Sequence, residues 1–203
     1  VIMFLIYPFI IAFTLVFISE LGDKTQLLAL SFSSKLKIST ILLGVALGSL
    51  FSHGLAILFG SFLGNIEDLK FQYFIKIITY ISFIIFGIIT LKSSNKNADS
   101  KYSNRNSFKN NFQYILFIAF SIAVGEFGDK TFLASIGLGI QYPSYKIMLI
   151  LGAIFAMVAS DLIAILFGKF LSKKVSEKTM QAFSGILFLI FGFIGILNFI
   201  TAV

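Results

Sequence analysis

At 203 residues, 58% hydrophobic and only 12% charged, with a mean hydropathy of +0.97, the chain is far more apolar than a soluble domain, where about half the residues are apolar and a quarter charged. These values exclude a soluble globular protein and predict an all-α membrane protein whose main partner is the lipid bilayer. The absence of cysteine excludes disulfides and thiolate metal sites, and the formal charge of +7 lies in short loops instead of on one soluble face, which argues against a nucleic-acid partner.

Six mostly apolar segments follow one another, near residues 4–30, 39–63, 73–91, 113–137, 147–170 and 182–201, each long enough as a helix to cross a hydrocarbon core of about 30 Å. The first has no basic n-region and is followed by further spans, so it reads as a true span and not as a cleaved signal peptide. It carries the stretch "ELGDKT", Glu20 to Thr25, near its middle. The second has glycines four apart, Gly44 and Gly48, then Gly60 and Gly64, the small face that lets helices approach closely in lipid, and it also contains His53. Between the third and fourth spans lies a polar, basic, Asn- and Ser-rich linker, Lys92 to Asn111. The fourth span carries "EFGDKT", Glu126 to Thr131, and the fifth carries Gly152, Ala156 and Ser160 at the same small-residue spacing, followed by Asp161. The 26 phenylalanines are bulk for the core and for the lipid-facing surface.

Basic residues set the orientation. If the spans alternate, one side of the membrane holds Lys35, Lys37, Lys92, Lys96, Lys101, Arg105, Lys109, Lys169, Lys173, Lys174 and Lys178, and the other only Lys70, Lys76 and Lys146. The positive-inside rule makes the first side cytoplasmic, with the central loop there and both termini on the non-cytoplasmic face.

The two halves also match each other. The hexapeptides are 106 residues apart, "SHGLAILFGSFL" from Ser52 matches "SDLIAILFGKFL" from Ser160 at 108, and "IIFG" ending at Gly87 matches "LIFG" ending at Gly192. Three anchors in one order predict a duplication: a first three-helix repeat over 1–91, a cytoplasmic linker over 92–112 and a second repeat over 113–203. With three spans each, the halves are inverted relative to one another, a plan frequent in secondary transporters, whose site lies near the bilayer midplane where the halves meet.

The hexapeptides supply candidate chemistry for that site. Glu20 and Asp23 are three residues apart, which on a helix puts both carboxylates on one face, close enough to share a cation, and Glu126 and Asp129 repeat the spacing. Lys24 and Lys130 follow the glutamates by four, where an ammonium can pair with the carboxylate. Gly22 and Gly128 allow the helix to open and free carbonyl oxygens, Thr25 and Thr131 add hydroxyls, and Gln26 adds an amide in the first copy only. Charges near the membrane centre cost on the order of 2.5–3.5 kcal/mol each even on insertion scales, so six of them need a shared purpose. Four carboxylates and two lysines leave two negative charges, matched by one divalent cation. An all-oxygen donor set favours calcium, manganese and magnesium ahead of zinc or copper. An empty site does not keep this charge cheaply, so protons take the metal's place, which makes the site an exchanger of cation for protons. No resident cofactor is expected: cation and protons are cargo. The plainer reading is a salt-bridge lattice joining the first and fourth helices, but buried ion pairs are weak stabilisers.

His53 and Asp161 fall on matching positions of the second and fifth spans, each preceded by a serine. An intramembrane aspartate is a functional candidate, either a further ligand or a proton relay, and a histidine can pass protons near neutral pH.

The paired E-x-G-D-K-T motifs, one per three-helix half on either side of a charged loop, resemble those of the Gdt family of calcium/manganese-proton antiporters over nearly the whole chain. The resemblance implies export of the cation from the cytosol, or loading of a compartment, in exchange for protons. The family's motif acids fall on Glu20, Asp23, Glu126 and Asp129, with Lys24, Thr25, Lys130 and Thr131 in the later motif positions. The short chain is similar to prokaryotic or plastid-type members, which implies a plasma membrane or a thylakoid or other plastid-type membrane. Two alternatives stay open: a small-solute exporter of amino-acid type, which calls for a roomier site with fewer acids, and an uncoupled cation channel using the same acids as a ring. An enzyme is disfavoured, with one histidine, no cysteine and no evident serine triad.

Overall fold

The computed structural model describes residues 2–21, 26, 29, 32–33, 36–93, 110–174 and 177–202. Among these there are seven α-helices and one 3₁₀ turn, and no strand: α1 (Ile2–Glu20), α2 (Ile38–Gly64), α3 (Leu69–Ser93), α4 (Asn111–Glu126), α5 (Lys130–Gln141), the 3₁₀ turn Pro143–Tyr145, α6 (Lys146–Lys174) and α7 (Glu177–Ala202). The regular structure of the described residues is thus all helical, as the composition predicts. Ile38–Gly64 and the stretch Pro143–Leu166 are each long and apolar enough to cross a bilayer, and four shorter apolar helical stretches, Ile6–Glu20, Tyr73–Ile89, Asn111–Glu126 and Gly185–Ile200, accompany them.

Two expected spans are not continuous helices. The segment expected as one helix over 113–137 is divided: α4 stops at Glu126, the chain turns through Phe127–Asp129, and α5 starts at Lys130. The cause is Gly128, whose φ of +81° lies in the left-handed region that an α-helix never uses and that glycine enters without a side-chain penalty. The first span, expected over 4–30, likewise leaves the helix at Leu21, and Gln26, Ala29, Phe32 and Ser33 are helical again. Gly22, Asp23, Lys24 and Thr25 lie outside the described residues, as does most of the linker, 94–109. Elsewhere local signals act as expected. After α2 ends, the Asp68 carboxylate accepts a hydrogen bond of 2.8 Å from the Phe71 N–H and caps the start of α3.

The small-residue faces do what their spacing predicts. α2 packs against α4, α5 and α6, while α1 packs on α6 and α3 on α7. A Cβ on Gly48 would lie 2.6 Å from the Ala119 carbonyl oxygen of α4, and one on Gly60 would overlap the Ile136 carbonyl of α5. Backbones therefore touch along both seams of α2, as they do where lipid supplies no hydrophobic drive and packing must come from close approach. Leu15 and Val16 of α1, Ile41, Val45 and Ile57 of α2, Ile118 and Ile122 of α4, and Leu149 and Met157 of α6 form the buried core around them. Phe51, Phe62, Phe120 and Leu197 face outward, so the helices are apolar on the exposed side as well as the buried one. A helix at a water interface would show a polar outer face, whereas a bilayer requires this pattern.

Candidate metal centre

The helix ends left by these breaks carry the acids. Glu20 is the last residue of α1, Glu126 the last of α4, and Asp129 the residue that precedes α5. The expectation that Glu126 and Asp129 share one face of a single helix is therefore corrected, because Gly128 turns the chain between them. The carboxylates converge nonetheless: one oxygen from each of Glu20, Glu126 and Asp129 lies within 4.8 Å of the others. Glu20 and Glu126 are wholly buried, and Asp129 is half-buried. The Thr131 hydroxyl, itself buried, donates a hydrogen bond of 3.0 Å to Oε2 of Glu126 and fixes that carboxylate's orientation.

This geometry has a chemical reading. An ion centred among three oxygens no more than 4.8 Å apart sits at most about 2.8 Å from each, slightly outside the 2.3–2.6 Å of calcium–oxygen bonds, so a small inward movement would bring all three to bonding distance, as part of the larger oxygen shell such an ion takes. The ligand set comes from both hexapeptides, which are 106 residues apart in sequence. Gln26 of the first copy is buried, Lys130 of the second is half-buried at the start of α5, and Gly128 provides the turn. Gly22, Asp23, Lys24 and Thr25 fall outside the described residues.

The other two polar candidates are not members of this three-carboxylate group. His53 on α2 is fully buried, with Nδ1 2.8 Å from the Ser135 hydroxyl of α5. Asp161 on α6 is 1% exposed, and neither carboxylate oxygen has a hydrogen-bond partner among the described residues. Their preceding serines behave alike, Ser52 donating to the Gly48 carbonyl and Ser160 to the Met157 carbonyl within their own helices. Ser135 was not among the candidates read from the sequence. It follows Thr131 by one helical turn on the buried side of a glycine-rich helix, a placement that does not by itself mark a partner for His53.

Buried carboxylates gathered at helix breaks in an all-helical, lipid-facing chain are the makeup of an ion-transport protein of the membrane. The chain belongs to the GDT1 family: the family model described as "Divalent cation/proton antiporter GDT1" matches residues 8–98 and 114–201. It is thus a membrane transporter of a cation/proton antiporter family and not an enzyme. Among its relatives, a "Putative manganese exporter" of Vibrio cholerae is 30% identical over 181 residues, covering 89% of this chain and 86% of that protein. "GDT1-like protein 5" of Oryza sativa is 27% identical over 214 residues, covering 89% and 90%. "Protein PAM71, chloroplastic" of Arabidopsis thaliana is 27% identical over 213 residues, covering 94% of this chain and 56% of the relative. No solved structure matches the chain.

Proposed function

We propose that the protein exchanges a divalent cation, manganese or calcium, for protons, carrying it out of the cytosol or into a compartment. The observation that carries this reading is the meeting of Glu20, Glu126 and Asp129 oxygens within 4.8 Å at the ends of broken helices. Asp23 completes the ligand set, Lys24 and Lys130 balance its charge, and Gly22, Thr25 and Gln26 support the first copy as Gly128 and Thr131 support the second. Protons neutralise the acids when the cation leaves, with His53 and Asp161 as relays or further ligands. The printed name of the Vibrio relative favours manganese and export.

The architecture we infer is six spans in two inverted halves, 1–91 and 113–203, joined by the cytoplasmic linker 92–112, with α4, its break and α5 forming one span. Helix pairing supports it. With α1 matched to α4, α2 to α6 and α3 to α7, the contact of α1 with α6 becomes that of α4 with α2, and both are extensive. The contacts of α3 with α7 and of α2 with α6 map onto themselves. Both termini are then non-cytoplasmic, in a plasma membrane or a plastid-type membrane.

Purified protein in sealed vesicles with a fluorescent metal reporter and an imposed pH gradient tests the reading. Glu20→Gln and Glu126→Gln each abolish manganese and calcium transport while the protein still inserts and folds. Transport that ignores the gradient and survives loss of all four motif acids refutes the proposal.

A further inference from the structure

A cavity of about 350 Å³ lies between α1, α3, α5 and α7. Of its lining residues, Tyr7 lies near the start of α1, Tyr142 just beyond α5 and Asn198 near the end of α7, so the cavity reaches toward the face that carries the start of α1 and the end of α7. At its other end Thr14, Phe83 and Leu187 lie in the middle parts of their helices. From Thr14, Glu20 is six residues further along α1, about 9 Å at 1.5 Å per residue. Along α1 the cavity thus covers about half of the way from Tyr7 to Glu20. Among the described residues no charged side chain lines it; most of the lining is apolar, and the polar groups are the hydroxyls of Thr14, Thr79 and tyrosines, and the amides of Gln141 and Asn198.

We propose that this cavity is the passage by which the cation, still hydrated, moves between the acidic cluster and the face carrying the chain ends, and that the Tyr80–Gln141 hydrogen bond closes it. The inference rests on the cation-exchange reading above and adds the route. Six waters occupy about 180 Å³ at about 30 Å³ each, so a fully hydrated divalent ion fits within about 350 Å³. Neutral oxygens interact with such an ion through its water shell and do not compete with the carboxylates, which suits a passage and not a second binding site. The closure is built with care for position. The Tyr80 ring lies where a side chain on Gly195 of α7 would otherwise sit, and its hydroxyl donates a hydrogen bond of 2.5 Å to Gln141 Oε1 at the far end of α5. The near end of α5 begins beside Asp129, so one short helix connects the closure to the acidic cluster. On its α2 side, α5 is held backbone to backbone at Gly60, Gly64 and Gly139; on the cavity side it presents Gly137, Leu138 and Gln141, with Gly137 set closely against Thr79 and Phe83.

Because the chain has no cysteine, a single introduced one reports without background. Thr14→Cys, with Leu187→Cys as a second reporter, is treated in sealed vesicles with a membrane-impermeant cationic methanethiosulfonate, and modification is read by mass. A terminal epitope identifies the side of addition. Both reporters are expected to react from the side of the chain ends and not from the other, modification is expected to block manganese transport, and Tyr80→Phe is expected to raise the modification rate several-fold. The passage is overturned if neither cysteine reacts, if they react only from the opposite face, or if fully modified protein transports at the unmodified rate. An unchanged modification rate in Tyr80→Phe overturns the closure. Glu126→Gln in the same vesicles separates the two readings: wild-type transport by that variant refutes the acidic site, whereas its loss beside unreactive cysteines refutes the passage alone.

Discussion

Replacing Gly128 with alanine isolates the backbone turn that brings Asp129 to Glu126. A Cβ at this position meets nothing within 4 Å, so the substitution introduces no steric conflict, and its whole effect comes from the φ of +81°. Holding an alanine in the left-handed region costs about 1–2 kcal/mol. If the turn is kept, that amount appears as lost stability. If the chain relaxes toward a helix, the Asp129 carboxylate leaves the cluster and the same energy appears as a loss of roughly 5–30-fold in metal affinity. Manganese titration calorimetry and thermal melting on the detergent-purified protein, taken together, should account for it. Asparagine, which enters the left-handed region more readily than other side chains but is larger than alanine, should fall between alanine and wild type. Two results would refute the reasoning: Gly128→Ala that binds and melts like wild type, or Gly128→Asn worse than Gly128→Ala, which would make volume and not conformation the cause.

Three further predictions follow from named contacts. Asp161→Asn keeps the shape of a fully buried carboxyl that lacks partners among the described residues, so melting temperature should hold or rise and manganese binding persist, while exchange driven by a pH gradient slows; a large fall in melting temperature would make Asp161 structural. Gly60→Ala forces α2 and α5 apart at the Ile136 carbonyl and should destabilise the protein by about 1–3 kcal/mol in thermal unfolding, with an unchanged melt counting against backbone contact at that seam. A double-mutant cycle on His53→Ala and Ser135→Ala should give a coupling of about 0.6–1.7 kcal/mol, the range for interhelical hydrogen bonds in membrane proteins, and additive effects would argue against the 2.8 Å contact.

Much of this site was legible because its signals are compositional. The acids stand out in apolar sequence, and the motif occurs twice, so each copy draws attention to the other. The helical-face argument for Glu126 and Asp129 put together two carboxylates that do lie near one another, but through the wrong geometry. A single glycine at positive φ interrupts a helix without altering the apolar run around it, so periodicity over 113–137 reads as unbroken. Gly48 and Gly60 were legible as close-packing positions, since a spacing of four describes a helix face directly. Ser135 was not, because a serine in a helix can bond its own backbone, as Ser52 and Ser160 do, and only the arrangement of α2 against α5 turns it toward His53. The cavity was out of reach for the same reason: it is a property of four helices from opposite ends of the chain.

The turn at Phe127–Asp129 has an electrical consequence as well as a geometric one. A helix ends in carbonyls that lack an onward partner and begins with amides that lack one, carrying roughly half a unit of negative and of positive charge respectively. Only three residues separate the end of α4 from the start of α5, so both kinds of pole stand beside the same three carboxylates. In the cation-exchange reading, an arriving cation would meet the carbonyl pole of one helix, and its departure would leave the acids beside the amide pole of the next. Each state would then find a backbone pole of fitting sign already in place, which side chains alone would have to supply as further buried charge.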